Sequence, residues 1–235
     1  MRTVAVIQAR MTSRRLPGKI LMKLVDRPML DFTVESLRHA CRLDGVMVAT
    51  STHGTDDATA QFAIGRGLRC HRGSLDDVAS RLLHAAQEAE ADAIVRVNGD
   101  SPLLDPALVD EGIASYQAND ADIATNVRPR TYPKGQSVEV ISVAALRRAI
   151  ARMTLPNERE HVTPYFYSHP EDFSIASFVT DPPHADAQLS VDDAADFARC
   201  AAIIAALPAP PWRAGWRACL AAYDRVCASE ASLRG

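Results

Sequence analysis

Short apolar runs and amphipathic segments alternate along the first hundred residues, and this alternation limits the folds open to the chain. The apolar runs are rich in Val, Ile and Ala, whereas the segments between them repeat apolar residues at helical spacing. We predict strands at 3–7, 46–50, 68–70 and 93–97, and helices at 30–43, 56–64 and 75–91. Strands that alternate with helices form parallel sheets with helices on both faces. The predicted fold class is therefore α/β, and the loops after the strands share one sheet edge, where ligands bind.

The second half of the chain is less regular. We predict strands at 122–126, 138–141, 173–179 and 188–191, and helices at 106–117, 144–153, 158–167, 194–207 and 216–227. Pro164 interrupts the helix at 158–167, and a turn-rich basic segment at 128–135 joins two of the strands. Since no internal repeat, low-complexity tract or flexible linker is present, we expect one domain over 1–235.

Composition excludes several classes of protein. Hydrophobic residues make up 47% and charged residues 23% of the 235 residues, which is typical of a globular chain with a sizeable core. The net charge of −3 does not indicate a nucleic-acid-binding protein. The five cysteines include no C-x-x-C pair, so we expect small core residues rather than a disulfide framework or a zinc site. Without a leader pattern or a long apolar run, we expect a cytoplasmic protein with no membrane segment.

The loop after the first strand is unusually basic. It reads QARMTSRRLPGK from Gln8 to Lys19, and its cationic residues are Arg10, Arg14, Arg15 and Lys19. Charge-assisted donors beside a Pro-Gly turn suit a chain of phosphates, although a solvated basic loop would have the same composition. Neither the G-x-x-x-x-G-K-[ST] nor the G-x-G-x-x-G spacing occurs here. The loop therefore favours phosphate binding of another kind.

Two aspartates follow predicted strands at the same sheet edge. Asp100 lies in RVNGDSPL and Asp192 in LSVDDAAD. Either carboxylate could hold Mg²⁺ together with phosphate oxygens, since Mg²⁺ sites use only one or two protein carboxylates. Asp100 could equally be a turn or cap residue, and Asp193 and Asp196 suit the start of the helix that follows.

Seven segments together resemble one known family. They are QARMTSRRLPGK, ATS, RGSLDDVASR, RVNGDSPLLDP, YPKGQSVEV, EREHVTPY and LSVDDAADF, in that order. The chain resembles the cytidylyltransferases that include the CMP-sugar synthetases, in particular the spore-coat polysaccharide branch, over about residues 3 to 200. The resemblance implies a three-layer Rossmann-like nucleotidyltransferase fold, related to the GT-A glycosyltransferases. That fold has a mostly parallel central sheet and a small irregular β extension.

The resemblance also implies a division of labour along the chain. A nucleotide-binding half would occupy 1–104, an acceptor-binding half 105–200 and a C-terminal helical segment 201–235. The nucleotide, CTP, would contact Ala9, Arg10, Ser13, Gly18, Thr50, Ser51, Arg72, Gly73 and Ser74. Arg15 and Lys19 would bind the triphosphate and act in catalysis with Asp100, while Asp100 and Asp192 would hold Mg²⁺. Arg14 stands at a variable position of the motif and is left out.

The acceptor side is implied by fewer motif positions, which are Tyr132, Lys134, Gly135, Glu139 and His161. An oxygen of the acceptor would attack the α-phosphorus of CTP and release pyrophosphate, with no obvious general base in the motifs. The acceptor could be a sugar acid or a smaller phospho- or phosphonate compound. Ser190 stands where sialate enzymes carry an acid, which argues against a sialate synthetase.

Other interpretations stay open on the sequence alone. The chain could use another nucleoside triphosphate with a sugar phosphate, although the Gly-rich first loop of such enzymes is absent. It could also be a non-catalytic nucleotide- or sugar-binding relative, against which the two retained aspartates argue. The family resemblance suggests a homodimer with the segment 126–141 as interface, and from the short stretch after the second acid motif we expect no fused partner domain.

Overall fold

A computed structural model describes residues 1–232, and a seven-stranded sheet runs through it. The strands are β1 (Thr3–Gln8), β2 (Lys23–Leu24), β3 (Arg27–Pro28), β4 (Gly45–Ser51), β5 (Arg69–Gly73), β6 (Ala93–Asn98), β7 (Ile123–Thr125), β8 (Glu139–Ser142) and β9 (Ile175–Ser177). The helices are α1 (Met29–Arg38), α2 (Asp57–Gly65), α3 (Val78–Glu88), α4 (Pro106–Asn119), α5 (Val143–Arg152), α6 (Pro156–His161), α7 (Thr163–Ser168), α8 (Ala194–Ala206), α9 (Pro211–Ala214) and α10 (Trp216–Ser232). The last three residues of the predicted segment 201–235 lie outside the described residues.

The strand order of the sheet is β5-β4-β1-β6-β8-β7-β9. Strands β5, β4, β1 and β6 are mutually parallel, and β8 alone runs against its neighbours β6 and β7. Strands β2 and β3 form a separate two-stranded ribbon. The predicted mostly parallel α/β fold is thereby confirmed, and the carboxyl ends of β1, β4 and β6 meet at one edge.

Two apolar cores separate the sheet from its helices. Helices α1, α2, α4, α8 and α10 bury apolar residues against one face, and α3, α5 and α7 do so against the other. Along β1, Ala5 and Ile7 enter the first core and Val4 and Val6 enter the second, as the two-residue repeat of a strand requires. A strand buried on both faces must be apolar throughout, which explains the run TVAVI.

Capping side chains fix several helix starts. Asp77 accepts a hydrogen bond from the amide of Ser80 at the start of α3, and Asp105 does the same for Ala107 at the start of α4. Asp193 accepts from the amide of Asp196 at the start of α8, as the sequence predicts. Each carboxylate satisfies an amide that has no partner inside its helix and also complements the helix dipole.

The second half departs from the prediction at three places. The segment 188–191 makes no regular strand, since its only ladder contact is one bridge between Gln188 and Lys134. The predicted helix at 158–167 is two helices, which separate at Val162 (φ 65°, ψ −71°), and Pro164 lies in the first turn of α7. The predicted strand at 173–179 is reduced to β9.

Two expectations about side chains also change. Only Cys200 and Cys219 are buried, whereas Cys41 is exposed, so the cysteines are not uniformly core residues. The segment 126–141 contributes β8 to the interior of the sheet, which leaves Arg128, Pro129 and Lys134 as its exposed residues. None of the helices up to Ser232 is long and apolar enough to cross a bilayer.

Substitution of Gly135 by alanine is expected to destabilise the fold. Gly135 has φ +93°, and an added Cβ would lie 2.6 Å from the carbonyl carbon of Leu189 and the amide nitrogen of Ser190. Both strain and overlap with backbone oppose the side chain, so we expect Gly135→Ala to lower the free energy of unfolding by about 2 kcal/mol or more. Urea denaturation measures the change. Gly65→Ala is the matched control, because a Cβ there meets nothing within 4 Å, and equal stability of the two variants would contradict the steric account.

Candidate active site

A cavity of about 630 Å³ opens at the edge where β1 and β6 end. It is lined by residues from five parts of the chain: the segment 8–20, the turn 75–76 with Arg81, the segment 96–100, the end of α6 at 160–161, and Asp192. The cationic members are Arg10, Arg14, Arg15, Lys19, Arg81 and Arg96, and the acidic members are Asp76, Asp100, Glu160 and Asp192. A polyanion and a divalent cation would both find complementary groups here.

Asp56 anchors the basic loop to the sheet. Its carboxylate is fully buried and accepts hydrogen bonds from the amide of Met11 (2.7 Å) and from the amide and hydroxyl of Ser51 at the end of β4. The amide of Gly18 donates to the carbonyl of Met11 (2.9 Å), and Gly18 takes the left-handed conformation (φ 73°) that this closure requires. These hydrogen bonds close the loop between Met11 and Gly18 and attach it to the end of β4, so its basic side chains extend from fixed backbone positions.

Lys19 joins three parts of the site. Its ammonium group lies 2.7 Å from Asp100 Oδ2 and also donates to the carbonyl oxygen of Val191, while its side chain is only 8% exposed. The amide of Val191 donates to the carbonyl of Asp100 (2.9 Å). The end of β6 and the segment before α8 are thereby held side by side, and they bring Asp100 and Asp192 to the same cavity.

Asp192 completes this cluster from the other side. Arg15 contacts Asp192 Oδ1 at 2.9 Å, and the amide of Asp192 donates to Asp196 Oδ2 (3.0 Å). The hydrogen bond from the amide of Asp196 lowers the pKa of Asp193, which keeps that carboxylate charged as the cap of α8. Asp193 and Asp196 therefore serve the helix, whereas Asp192 faces the cavity.

The two cavity aspartates fit a divalent cation that substrate oxygens would complete. Lys19 binds one oxygen of Asp100 and Arg15 one oxygen of Asp192; Asp100 Oδ1 has no protein hydrogen bond within residues 1–232, and Asp192 Oδ2 has only a 3.4 Å contact from Gln188. Over the same residues, no group of three or more His, Cys, Asp or Glu side chains forms a metal cluster. A pair of carboxylates without further protein ligands is typical of Mg²⁺ sites that share phosphate oxygens.

Arg81 is a buried residue of the cavity lining. It is 1% exposed, and its guanidinium donates to the carbonyl oxygens of Ser74 and Leu75. Burial lowers the pKa of Arg81 to about 10, and the nearby charge of Arg10 adds to the effect. Arg10 donates to the same carbonyl of Leu75 (3.4 Å) and pairs with Glu160 at 3.1 Å, and this hydrogen bond lowers the pKa of Glu160.

The junction between α6 and α7 forms the opposite wall. Val162 is fully buried in the γ-turn region of backbone space, which is strained for a β-branched residue. His161 precedes Val162 and lines the cavity, whereas Thr163 follows Val162 and begins α7. Arg159 pairs with Asp77 at 2.9 Å and so fastens α6 to the start of α3.

A buried ion pair lies beneath this wall. Arg96 on β6 contacts Glu139 Oε2 on β8 at 2.6 Å, and their side chains are 12% and 7% exposed. The hydroxyl of Tyr167 donates to Glu139 Oε1 (2.6 Å). Burial, with the adjacent charge of Glu139, raises the pKa of Tyr167, so its hydroxyl keeps the proton that it donates.

The structure brings some of the predicted site residues together. Those that line the cavity are Ala9, Arg10, Ser13, Arg15, Lys19, Asp100, His161 and Asp192. Thr50 and Ser51 are fully buried at the end of β4, and Ser51 acts through its hydrogen bond to Asp56. Gly18 closes the basic loop, and Glu139 touches the cavity only through Arg96.

The remaining predicted residues lie away from the cavity lining. Arg72 donates to the carbonyl of Ser51 and pairs with Asp57, whereas Gly73 packs on Arg81 and Ser74 accepts from it. Three predicted acceptor residues have structural contacts: Tyr132 packs against Trp216 and Phe178, the backbone of Lys134 bonds to that of Ala187 and Leu189, and Gly135 lies on the backbone of Leu189.

Sequence reasoning missed Gln8, Arg81, Arg96 and Glu160, and it left Arg14 out of the site as a variable motif position, yet all five line the cavity. Two of them had a signal. Arg96 is a charge inside an otherwise apolar strand, and Arg81 lies on the buried face of α3 among Val78, Leu82 and Ala85. A charged residue at a buried position needs a partner or a function, so each position could have been identified from the sequence.

The sheet with one reversed strand and a cavity at its parallel edge places the chain in the nucleotidyltransferase fold class. A solved cytidylyltransferase from Leptospira borgpetersenii superposes with a TM-score of 0.91 at 29% identity, covering 96% of this chain and 94% of that one. A family model described as cytidylyltransferase matches residues 4–197. The chain belongs to the cytidylyltransferase family and is therefore an enzyme of the nucleotidyltransferase class, which confirms the resemblance drawn from its motifs.

Two relatives have more specific names. The spore coat polysaccharide biosynthesis protein SpsF of Bacillus subtilis is 33% identical over 177 residues, covering 72% of each chain. A 3-deoxy-manno-octulosonate cytidylyltransferase of Geobacter metallireducens is 33% identical over 167 residues, covering 68% of this chain and 65% of the relative.

Removal of the Asp77 carboxylate is expected to loosen both α3 and α6. Burial raises the pKa of Asp77, but hydrogen bonds from Ser80 and the charge of Arg159 outweigh it, so the pKa lies below 3.8 overall. We expect Asp77→Ala to cost about 1–2 kcal/mol at pH 7, through loss of the helix cap and the ion pair.

The same pKa predicts the pH dependence of this effect. A lowered folded pKa means that the stabilisation is complete above the unfolded value of 3.8 and is lost as the pH falls through the folded value. Thermal unfolding of both proteins between pH 7 and about pH 2.5 should therefore show a stability difference that shrinks only at the acid end. Asp76→Ala removes an exposed neighbouring charge and serves as control. A constant difference across that range would contradict the assignment.

Proposed function

We propose that the protein transfers CMP from CTP to an oxygen nucleophile of a small anionic acceptor and releases pyrophosphate, with Mg²⁺ as the metal. The observation that carries the proposal is the position of Lys19, which joins the basic loop to Asp100 and to the segment before Asp192 at one cavity. Anion-binding and cation-binding groups thus face a common space large enough for a nucleotide.

The residues of the chain would act mainly by positioning and by charge. Arg15 and Lys19 project from the closed loop and would bind the triphosphate, where they offset charge that grows on the leaving pyrophosphate. Asp100 and Asp192 would hold Mg²⁺, which when bound neutralises phosphate charge and lowers the pKa of a coordinated oxygen. His161 lies on the cavity wall within the region predicted for the acceptor.

The acceptor is proposed to be a sugar acid or a related phospho- or phosphonate compound. The name of the Geobacter relative specifies 3-deoxy-manno-octulosonate, and that of the Bacillus relative specifies spore coat polysaccharide biosynthesis. We propose a comparable role in the biosynthesis of a surface polysaccharide or glycoconjugate. Assembly as a homodimer stays a prediction, which light scattering of the purified protein tests.

Asp100→Asn is expected to abolish turnover and leave the fold intact. The amide keeps the shape of the side chain but loses the charge that Mg²⁺ and Lys19 need, so pyrophosphate release from CTP should fall at least about 100-fold. Asp224→Asn changes an exposed acid on α10 and is the control. Activity of Asp100→Asn that returns to the wild-type rate at saturating Mg²⁺ would refute the role of Asp100 as a metal ligand.

The choice of nucleotide separates the proposal from its alternatives. With CTP, UTP, GTP and ATP in parallel, we expect pyrophosphate release from CTP at least about tenfold faster than from the others, since selection between bases rests on hydrogen-bond differences of this size. Preference for another nucleotide together with a sugar phosphate would support the first alternative. Binding of CTP that calorimetry shows to be independent of Mg²⁺, without turnover, would support a non-catalytic relative.

A further inference from the structure

A row of polar side chains runs across the sheet from the cavity, where Gln8 and Arg96 lie, into the interior. Gln8, Arg96, Glu139 and Thr125 lie on the adjacent strands β1, β6, β8 and β7, on the sheet face covered by α3, α5 and α7. On that face the other positions of these strands are apolar, as Val6 and Ile141 illustrate, except Asn98 at the end of β6, which lines the cavity. A polar row at this place breaks the core pattern, and nothing in the fold itself requires it.

Three of the hydrogen-bonding positions of the Arg96 guanidinium are fixed by protein. Its Nε donates to Gln8 Oε1 (3.0 Å), and its Nη1 donates to Glu139 Oε2 (2.6 Å) and to Thr163 Oγ1 (3.3 Å). Nη2 has no protein partner among residues 1–232, and Arg96 lines the cavity. The protein thus holds Nε and Nη1 of the guanidinium, whereas Nη2 is available to a ligand in the cavity.

Glu139 is held as firmly as the arginine that it contacts. One of its oxygens binds Arg96 and the other accepts from Tyr167, whose hydroxyl lies 3.0 Å from Thr125 Oγ1. Both carboxylate oxygens are therefore occupied by protein, and the residue is 5% exposed. Because Glu139 does not line the cavity, its contribution to a site must pass through Arg96.

The position of Arg96 separates it from the groups assigned to the triphosphate. Lys19 and Arg15 contact Asp100 and Asp192, whereas the acidic and hydroxyl partners of Arg96 come from the second half of the chain, at β8 and at the start of α7. Displacement at phosphorus places the nucleophile opposite the leaving group. With pyrophosphate on the basic loop, the acceptor would approach from the side of the cavity where Arg96 and the end of α6 lie.

We propose that Arg96 binds an oxyanion of the acceptor, a carboxylate or a phosphate, and that Glu139 and Tyr167 are positioning residues that aim its free edge. This inference rests on the proposed function for the identity of the acceptor. A guanidinium that is already immobilised loses little conformational entropy when it binds, so it discriminates well between an anion and a neutral group. Acceptors with an anionic group near the attacking oxygen are therefore preferred over neutral sugars.

The test compares matched pairs of probes that differ by one anionic group. They are 3-deoxy-manno-octulosonate with its C1 alcohol, and glucose 1-phosphate with glucose, titrated against the protein by ligand-observed NMR. We expect the wild type to bind the anionic member of at least one pair about 10- to 100-fold more tightly than the neutral member, as a charge-assisted contact provides. Which pair shows the larger ratio distinguishes a carboxylate from a phosphate.

Variants of Arg96 and its partners test whether Arg96 causes the preference for anionic probes. Arg96→Met alone would leave Glu139 buried without its cationic partner, so it is combined with Glu139→Gln, and folding is checked by thermal melting. We expect the double variant to bind anionic and neutral members equally, while its affinity for CTP changes less than about threefold. Arg96→Lys, Glu139→Gln and Tyr167→Phe should give intermediate ratios, since each keeps part of the contact or of its support. Arg147→Met, an exposed change on α5, should leave the ratio at the wild-type value.

The possible results separate this inference from the proposed function. A wild-type protein that shows no preference for either anionic probe, or a preference that survives in the double variant, overturns the role of Arg96. A loss of CTP affinity as large as the loss of anion affinity also overturns it, because Arg96 would then belong to the nucleotide site. Absence of pyrophosphate release from CTP with every probe contradicts the proposed function, whereas the binding ratios still decide the role of Arg96.

Discussion

The site depends on one contact, the buried ammonium group of Lys19 between the partly exposed Asp100 and the carbonyl of Val191. Removal of the lysine charge from water is costly, and such a pair is stable only where geometry and further hydrogen bonds are good. Here the 2.7 Å contact and the second acceptor meet that condition. The Lys19 contacts fix three segments that are distant in sequence at one edge of the sheet. Beside this contact, the Arg15–Asp192 pair joins the loop to the approach to α8, and a backbone hydrogen bond joins that approach to the end of β6.

Much of the less regular second half serves to hold this arrangement. Gly135 allows the segment 188–191 to lie directly on a turn, and the backbone of Lys134 bonds to Ala187 and Leu189. These contacts present Val191 to Lys19 and Asp192 to Arg15. The motif YPKGQSVEV therefore bears on the site by setting the position of a metal-binding candidate, while its Tyr132 packs in the core. Motif membership alone does not distinguish these two kinds of role.

The sequence predicts the parallel half of the fold well because strand and helix periods differ most clearly in buried βαβ units. The meeting of Lys19 and Asp100 follows from the same reasoning, since loops after parallel strands share an edge. Asp192 reaches the same cavity although the strand predicted before it does not form. Partners within the site do not follow. Nothing in the sequence pairs Arg96 with Glu139, because β8 enters the sheet by an antiparallel contact whose register depends on tertiary packing. The sequence also does not predict the break between α6 and α7 at Val162. A positive φ is unfavourable for a β-branched residue, and this conformation occurs only where the surrounding structure imposes it.

The charges of the cavity are nearly all paired within the protein, and this affects how a polyanion can bind. Arg10, Arg15, Lys19 and Arg96 each contact an acid, Glu160, Asp192, Asp100 and Glu139 respectively. Only Arg14 and Arg81 among the lining cations have no acidic partner within residues 1–232. A triphosphate carries more negative charge than these two can neutralise, so it must draw cations away from their acids. A divalent metal that takes over Asp100 and Asp192 would release Lys19 and Arg15 for phosphate. Metal and nucleotide binding would then be mutually dependent by electrostatics, because each would supply the counter-charge that the other displaces.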